Sequence, residues 1–323
     1  MAEITYREAI NQALVEEMER DERVVVFGED VALYEGSFKV TRGLLAKFGA
    51  ERVFDTPISE AAIVGYSVGA SLAGMRPVAE IMHFDFIACA MDQVVNQAAK
   101  VRYMSGGRAS APLVIRTGTG GWLSAAAQHS QSLEAWFTHI PGIKVVAGGT
   151  PADARGLLLA AVADENPVLV IESLSLYERQ DEVPDAPSPY RLGTADLKRR
   201  GDDVTIVTWG AMVPRVLEAA DVLHGEGVGA DVIDLLTLRP WDADAVLASV
   251  SRTNRALVVH QAYRHGGFGA EIAATIAERA FDQLDAPVGR VGSLDVPVPF
   301  SPPLEEYVLP TAERVAAAVR AMA

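Results

Sequence analysis

The sequence predicts an α/β protein of two domains, each built on an open parallel sheet. Three observations carry that expectation. Short, continuously apolar runs alternate with amphipathic segments along the chain, the pattern of strands buried on both faces by helices. The length of 323 residues, half of them hydrophobic, exceeds one ordinary core. A stretch without periodicity, DEVPDAPSPYR from Asp181 to Arg191, gathers three prolines and reads as a break between domains. The expected division is a first domain over residues 1–185, a linker at 186–198 and a second domain over 199–323.

The elements follow in order. Thr5 with Glu8 three residues on makes a capping box, so a helix runs to about Arg20. The β-branched run 24–26 is a strand, and 52–54 a second one. A helix from about Ser59, a strand at 77–82 and a long helix over 87–102 come next. Strands at 113–116, 143–146 and 168–172 complete the first domain, with a helix at 151–163 between the last two. In the second domain strands at 204–208, 230–234, 256–259 and 288–291 alternate with helices at 214–223, 243–250 and 269–281, and a helix from Thr311 closes the chain.

Composition excludes several function classes. A net charge of −15 argues against nucleic acid, whose binding rests on neutralising phosphates with Lys and Arg. The most apolar region, 61–75, is cut by Gly65, Ser67, Gly69 and Gly74, so no membrane partner is expected. The first residues carry no basic segment ahead of an apolar run, which leads to the expectation of a cytoplasmic protein. The single cysteine, Cys89, excludes an internal disulfide and reads as buried core within IACAM.

Chemistry concentrates in the first domain. Glu60 stands at the first turn of a helix among Ile58, Ala61 and Ile63. Apolar neighbours disfavour its charged form while the helix N-terminus favours it, and a purely structural dipole role is the alternative. His129 follows the glycine-rich GTGG of 118–121 and so belongs to a loop at a strand end, where sites of open sheets gather. Phe86 reads as core or as a platform for a flat ring. The remaining histidines, His83, His139, His224, His260 and His265, lack metal-ligand spacing and read as structural. GGFGAE at 266–271 lacks the full spacing of a dinucleotide fingerprint, so tight helix–strand packing is the better reading.

Several motifs in order, DTPISE with VGASLAGMRPVAE, then DQVVNQAAKVRYMSGG, AAAQHSQS, HIPGIKVV and VPVPFSP, resemble the β subunits of pyruvate, branched-chain 2-oxo acid and acetoin dehydrogenases. The resemblance runs from about Tyr6 to the end of the chain. It implies a thiamine-diphosphate pyrimidine-binding domain followed by a transketolase C-terminal-like domain. It further implies that Glu60 hydrogen-bonds the aminopyrimidine, that Phe86 and Ile58 pack on it, and that His129 faces the substrate. A structural potassium is implied at Leu113, Ala161, Val162, Asp164 and Asn166. The chain has no Gly-Asp-Gly segment of the kind that holds the diphosphate and its magnesium ion. The implied partner is therefore an α subunit carrying that motif, in an α2β2 heterotetramer that serves a lipoyl acyltransferase. The implied reaction is oxidative decarboxylation of a 2-oxo acid, with pyruvate favoured over branched-chain acids or acetoin. A non-catalytic scaffold subunit and a self-sufficient transketolase-like enzyme are the competing readings.

Overall fold

The computed structural model describes residues 2–184 and 190–322. Fourteen strands occur among them: β1 (Ala2–Thr5), β2 (Val24–Gly28), β3 (Val53–Asp55), β4 (Arg76–His83), β5 (Val114–Thr119), β6 (Lys144–Ala147), β7 (Val168–Ser173), β8 (Gln180–Val183), β9 (Asp196–Arg199), β10 (Val204–Thr208), β11 (Ala230–Asp234), β12 (Thr237–Arg239), β13 (Ala256–Tyr263) and β14 (Gly289–Ser293). Seven form one sheet in the order β12-β6-β7-β5-β4-β2-β3, parallel except for β12. Five form a second in the order β14-β13-β10-β11-β9, parallel except for β9. β1 and β8 pair antiparallel as a small ribbon.

The long β-branched strands and capped helices lie where the sequence places them. Thr5 and Glu8 close a reciprocal capping box on the helix Tyr6–Arg20. The short edge strands β1, β8, β9 and β12 and the helix Pro302–Val308 are too brief or too polar to stand out from periodicity. Part of the expected linker, residues 185–189, lies outside the described residues, and β8 and β9 flank it.

Two expectations are corrected. The single helix over 87–102 is a 3-10 segment at Phe84–Ala90, a π segment at Gln93–Ala98 and a short α turn at Val101–Met104. The buried positions explain the change: Phe84, Ile87 and Ala90 recur every three residues, then Val94 and Ala98 every four, so the winding widens to keep them facing inward. The same geometry turns Cys89 outward, so it is exposed instead of core.

The seven-stranded sheet is threaded by one charged row. Glu80 and Arg116 are register partners on the adjacent strands β4 and β5, and Glu172 lies on β7 two residues beyond the partner of Arg116, opposite Gly118. The guanidinium of Arg116, 1% exposed, donates to Glu80 at 2.8 Å and to both oxygens of Glu172 at 2.7 and 2.8 Å. The Tyr177 hydroxyl donates to Glu172 at 2.6 Å. Burial pushes the Glu80 carboxyl up against the pull of Arg116, and burial beside Glu172 pushes the Tyr177 hydroxyl up. Gly28 occupies the same row on β2, where a Cβ would meet the Glu80 carbonyl oxygen at 2.6 Å.

The two sheets are locked together. β12, from the second half of the chain, pairs with β6. Lys198 donates to both carboxylate oxygens of Asp153 at 3.0 Å, and the Trp209 indole donates to the buried Glu134 at 3.2 Å. Glu305, on Pro302–Val308, accepts from the backbone N–H groups of Trp122 at 2.8 Å and Ser124 at 3.0 Å. Those two residues and Ala126 have left-handed φ of 66°, 53° and 64°, so the loop winds into a concave cradle for the carboxylate. Arg215 caps the Trp122 ring at 3.8 Å.

Replacing Arg116 with Met leaves two carboxylates buried together, and should cost about 3–5 kcal/mol in urea denaturation. A loss below 1 kcal/mol would show that the row is not structural. Replacing Glu305 with Ala removes two charge-assisted hydrogen bonds and should cost about 2–3 kcal/mol, with faster proteolytic cleavage inside 120–128 than elsewhere.

Candidate functional site

In an open parallel sheet the loops beyond the carboxyl ends of the strands form one rim. Here β5, β4, β2 and β3 are consecutive neighbours, and the predicted site residues follow β5, β4 and β3. His129 belongs to the loop after β5, Phe86 follows β4, and Ile58 and Glu60 follow β3.

At one end of the rim Glu60 is the first residue of the helix Glu60–Leu72, partly buried, with Ile58 beside it 81% exposed. Asp55 ties this end to the loop after β2 by accepting from Ala32 N–H at 2.7 Å and Leu33 N–H at 3.1 Å. A second carboxylate, Glu29, follows β2 directly. Burial, and then the charge of Glu60, push its carboxyl up. Sequence reasoning missed Glu29; its signal was an acid immediately after a glycine-terminated apolar strand, VVVFGE.

At the other end three rings meet edge to face. The His83 and His129 centroids are 4.9 Å apart at 85°, and Phe86 lies 5.2 Å from His129 at 87° and 6.2 Å from His83 at 88°. Phe38 also meets His83 edge to face, at 5.8 Å and 80°. His83, read from the sequence as merely structural, is thus in contact with the histidine singled out there. The loop is fixed just past His129, because Asp85 accepts from Gln131 through its backbone N–H at 3.1 Å and its side-chain amide at 2.9 Å. Thr119 donates to the Gln131 carbonyl at 2.9 Å.

Buried polar atoms without a hydrogen-bond partner among the described residues include Thr56 Oγ1, His83 Nδ1, Asp85 Oδ2 and Ser130 Oγ, all on segments of this rim. Such atoms are costly unless a ligand or water meets them. With a half-buried carboxylate, an aromatic ring and an exposed isoleucine, the residues fit a flat, nitrogen-bearing ring.

The other histidines lie elsewhere. His260 is buried, stacked on Trp209 at 5.3 Å and 13°, and burial pushes it down to about 4, so it is neutral core. A Cβ at Gly269 or Gly267 would come within 2.5 or 2.6 Å of its ring or neighbouring backbone, which is the close packing that GGFGAE provides. His139, His224 and His265 are exposed.

The residues implied for potassium make these contacts. The Arg76 guanidinium donates to the carbonyls of Val162 at 2.9 Å and Asp164 at 3.3 Å. The Asp164 carboxylate pairs with Lys144 and accepts from Asn166, whose amide oxygen accepts from Arg102 at 2.9 Å. The Leu113 carbonyl accepts from Val168 N–H at 3.0 Å and the Ala161 carbonyl from Asp164 N–H at 3.3 Å. Arg76, Lys144 and Arg102 thus between them contact Val162, Asp164 and Asn166 of this set.

Comparison with known proteins places the whole chain. Family models described as "Transketolase, pyrimidine binding domain" and "Transketolase, C-terminal domain" match residues 2–180 and 193–315. The pyruvate dehydrogenase E1 component subunit beta of Rickettsia felis is 46% identical, over 98% of both chains. The 2-oxoisovalerate dehydrogenase subunit beta of Bacillus subtilis is 45% identical over 100% of this chain and 99% of its own. The acetoin:2,6-dichlorophenolindophenol oxidoreductase subunit beta of Cupriavidus necator is 47% identical over 97% of this chain and 95% of its own. A solved structure described as a split gene transketolase, inactive beta4 tetramer, superposes with a TM-score of 0.81 at 28% identity, covering 99% of this chain and 98% of that one. Two matched family models in order, and relatives of this similarity along the full length, mean that the chain belongs to the transketolase-like family of 2-oxo acid dehydrogenase E1 β subunits.

Proposed function

We propose that this chain is the β half of a thiamine-diphosphate-dependent 2-oxo acid dehydrogenase, acting on pyruvate, and that it is catalytically incomplete without an α chain. The observation that carries the reading is that Glu60, Phe86 and His129 share one rim of a chain that has no Gly-Asp-Gly segment. The diphosphate and its magnesium ion then belong to the α subunit, in an α2β2 assembly. In this reading the pyrimidine-side unit extends to residue 185 and a supporting unit begins at 199, beside family matches over 2–180 and 193–315. No helix among the described residues is long and apolar enough to cross a membrane, which is compatible with a cytoplasmic complex.

Thiamine diphosphate, when bound, supplies the electron sink that decarboxylation requires. The chain's own residues position and protonate. Glu60 holds a proton at the pyrimidine ring nitrogen, with Glu29 as the neighbouring carboxyl. Phe86 and Ile58 give the ring apolar surfaces and exclude water. His129, on the substrate side, would move a proton at the oxygen of the substrate carbonyl or assist acyl transfer to the lipoyl group. The aldehyde-level unit that remains after carbon dioxide leaves would be oxidised to an acyl group by the lipoyl disulfide of a partner acyltransferase, the S–S bond breaking as one sulfur forms the thioester and the other takes a proton.

Co-expression with the α chain, followed by a decarboxylation panel of pyruvate, branched-chain 2-oxo acids and acetoin, tests this. Pyruvate should be turned over best. Glu60→Gln should lower the rate at least about 100-fold while the assembly stays intact. Undiminished activity in that variant would favour a scaffold role, and full activity of the chain alone would favour a self-sufficient enzyme.

A further inference from the structure

His83 is the last residue of β4, and its ring makes perpendicular contacts with Phe38, Phe86 and His129. Burial first, and the neighbouring His129 second, hold its imidazole below the usual histidine range, while Asp85 acts in the opposite sense. Those two are the titratable groups that act on it, one from the loop after β5 and one from Phe84–Ala90. Asp85 has one oxygen committed to both donors of Gln131, so it serves the loop more than the imidazole. Two imidazoles at this separation oppose a second charge, and a perpendicular contact sets the edge of one ring against the face of the other. The Nδ1 atom of His83 is buried and finds no partner among the described residues, so nothing there anchors a proton on that nitrogen.

We propose that His83 is the positioning residue for His129: through the perpendicular contact of the two rings it stays a neutral neighbour and holds the His129 imidazole in place for proton transfer. This rests on the reading of the rim as a decarboxylase site, and it adds a residue to that site which a packing role does not explain.

Two measurements test it. The chain has six histidines, few enough for each ring resonance to be followed by NMR across pH in the full-length protein. His83 should titrate below the usual histidine range, and His129→Asn should move that titration to higher pH by removing a like charge. An unchanged midpoint overturns the coupling. This titration needs neither cofactor nor partner. In the assembly with the α chain, His83→Phe keeps an aromatic edge but is no longer an imidazole. It should lower kcat at least about 10-fold with KM within about twofold, and should displace the acidic limb of the pH profile. Wild-type kcat and pH profile in that variant overturn the positioning role of the imidazole, because packing alone would then suffice. If Glu60→Gln keeps full activity, the reading of the site fails, whereas the NMR coupling stands or falls by itself.

Discussion

The charged row through the centre of the large sheet is the constraint on which the site depends. Parallel strands buried on both faces carry few cues to register, because one apolar residue packs much like the next. Arg116, bonded to Glu80 on one side and Glu172 on the other, admits a single alignment of β4, β5 and β7. Gly28 extends it to β2, since only a residue without Cβ can lie against the Glu80 carbonyl. With the registers set, β4 and β5 run past the ends of β2 and β3, and the segments carrying Glu29, Glu60, Phe86, His83 and His129 follow neighbouring strands or, for His83, end one. A buried ionic row is seldom the cheapest source of stability. Its use here is specificity of alignment.

The second domain contributes by holding what the first cannot hold alone. The loop that bears His129 takes left-handed backbone at three non-glycine residues, and Glu305 meets the N–H groups which that winding exposes. β12 reaches back to cover the edge of the first sheet, and Lys198 and Trp209 pair with acids on the opposite side. The rim is therefore a property of the whole chain.

Much of this was legible because the residues concerned are local signals. Capping boxes, β-branched strands and the motifs around Glu60 and His129 announce themselves within a few positions. The misses are non-local. His83 and Glu29 gain meaning only when strands far apart in sequence become neighbours, and β12 looks like a fragment until the edge it covers exists. Cys89 and the segment around it misled because a run of small apolar residues suits an α-helix, whereas burial at every third position selected tighter winding. The resemblance-based potassium ligands are mostly main-chain atoms, and their engagement with Arg76, Lys144 and Arg102 is invisible without coordinates.

The central claim is that this chain holds one half of a cofactor site. Calorimetric titration of thiamine diphosphate with magnesium into the chain alone, and into an equimolar mixture with its α chain, tests it most directly. The account predicts negligible binding to the chain alone and one cofactor per αβ pair in the mixture. Tight, stoichiometric binding by the chain alone would contradict it.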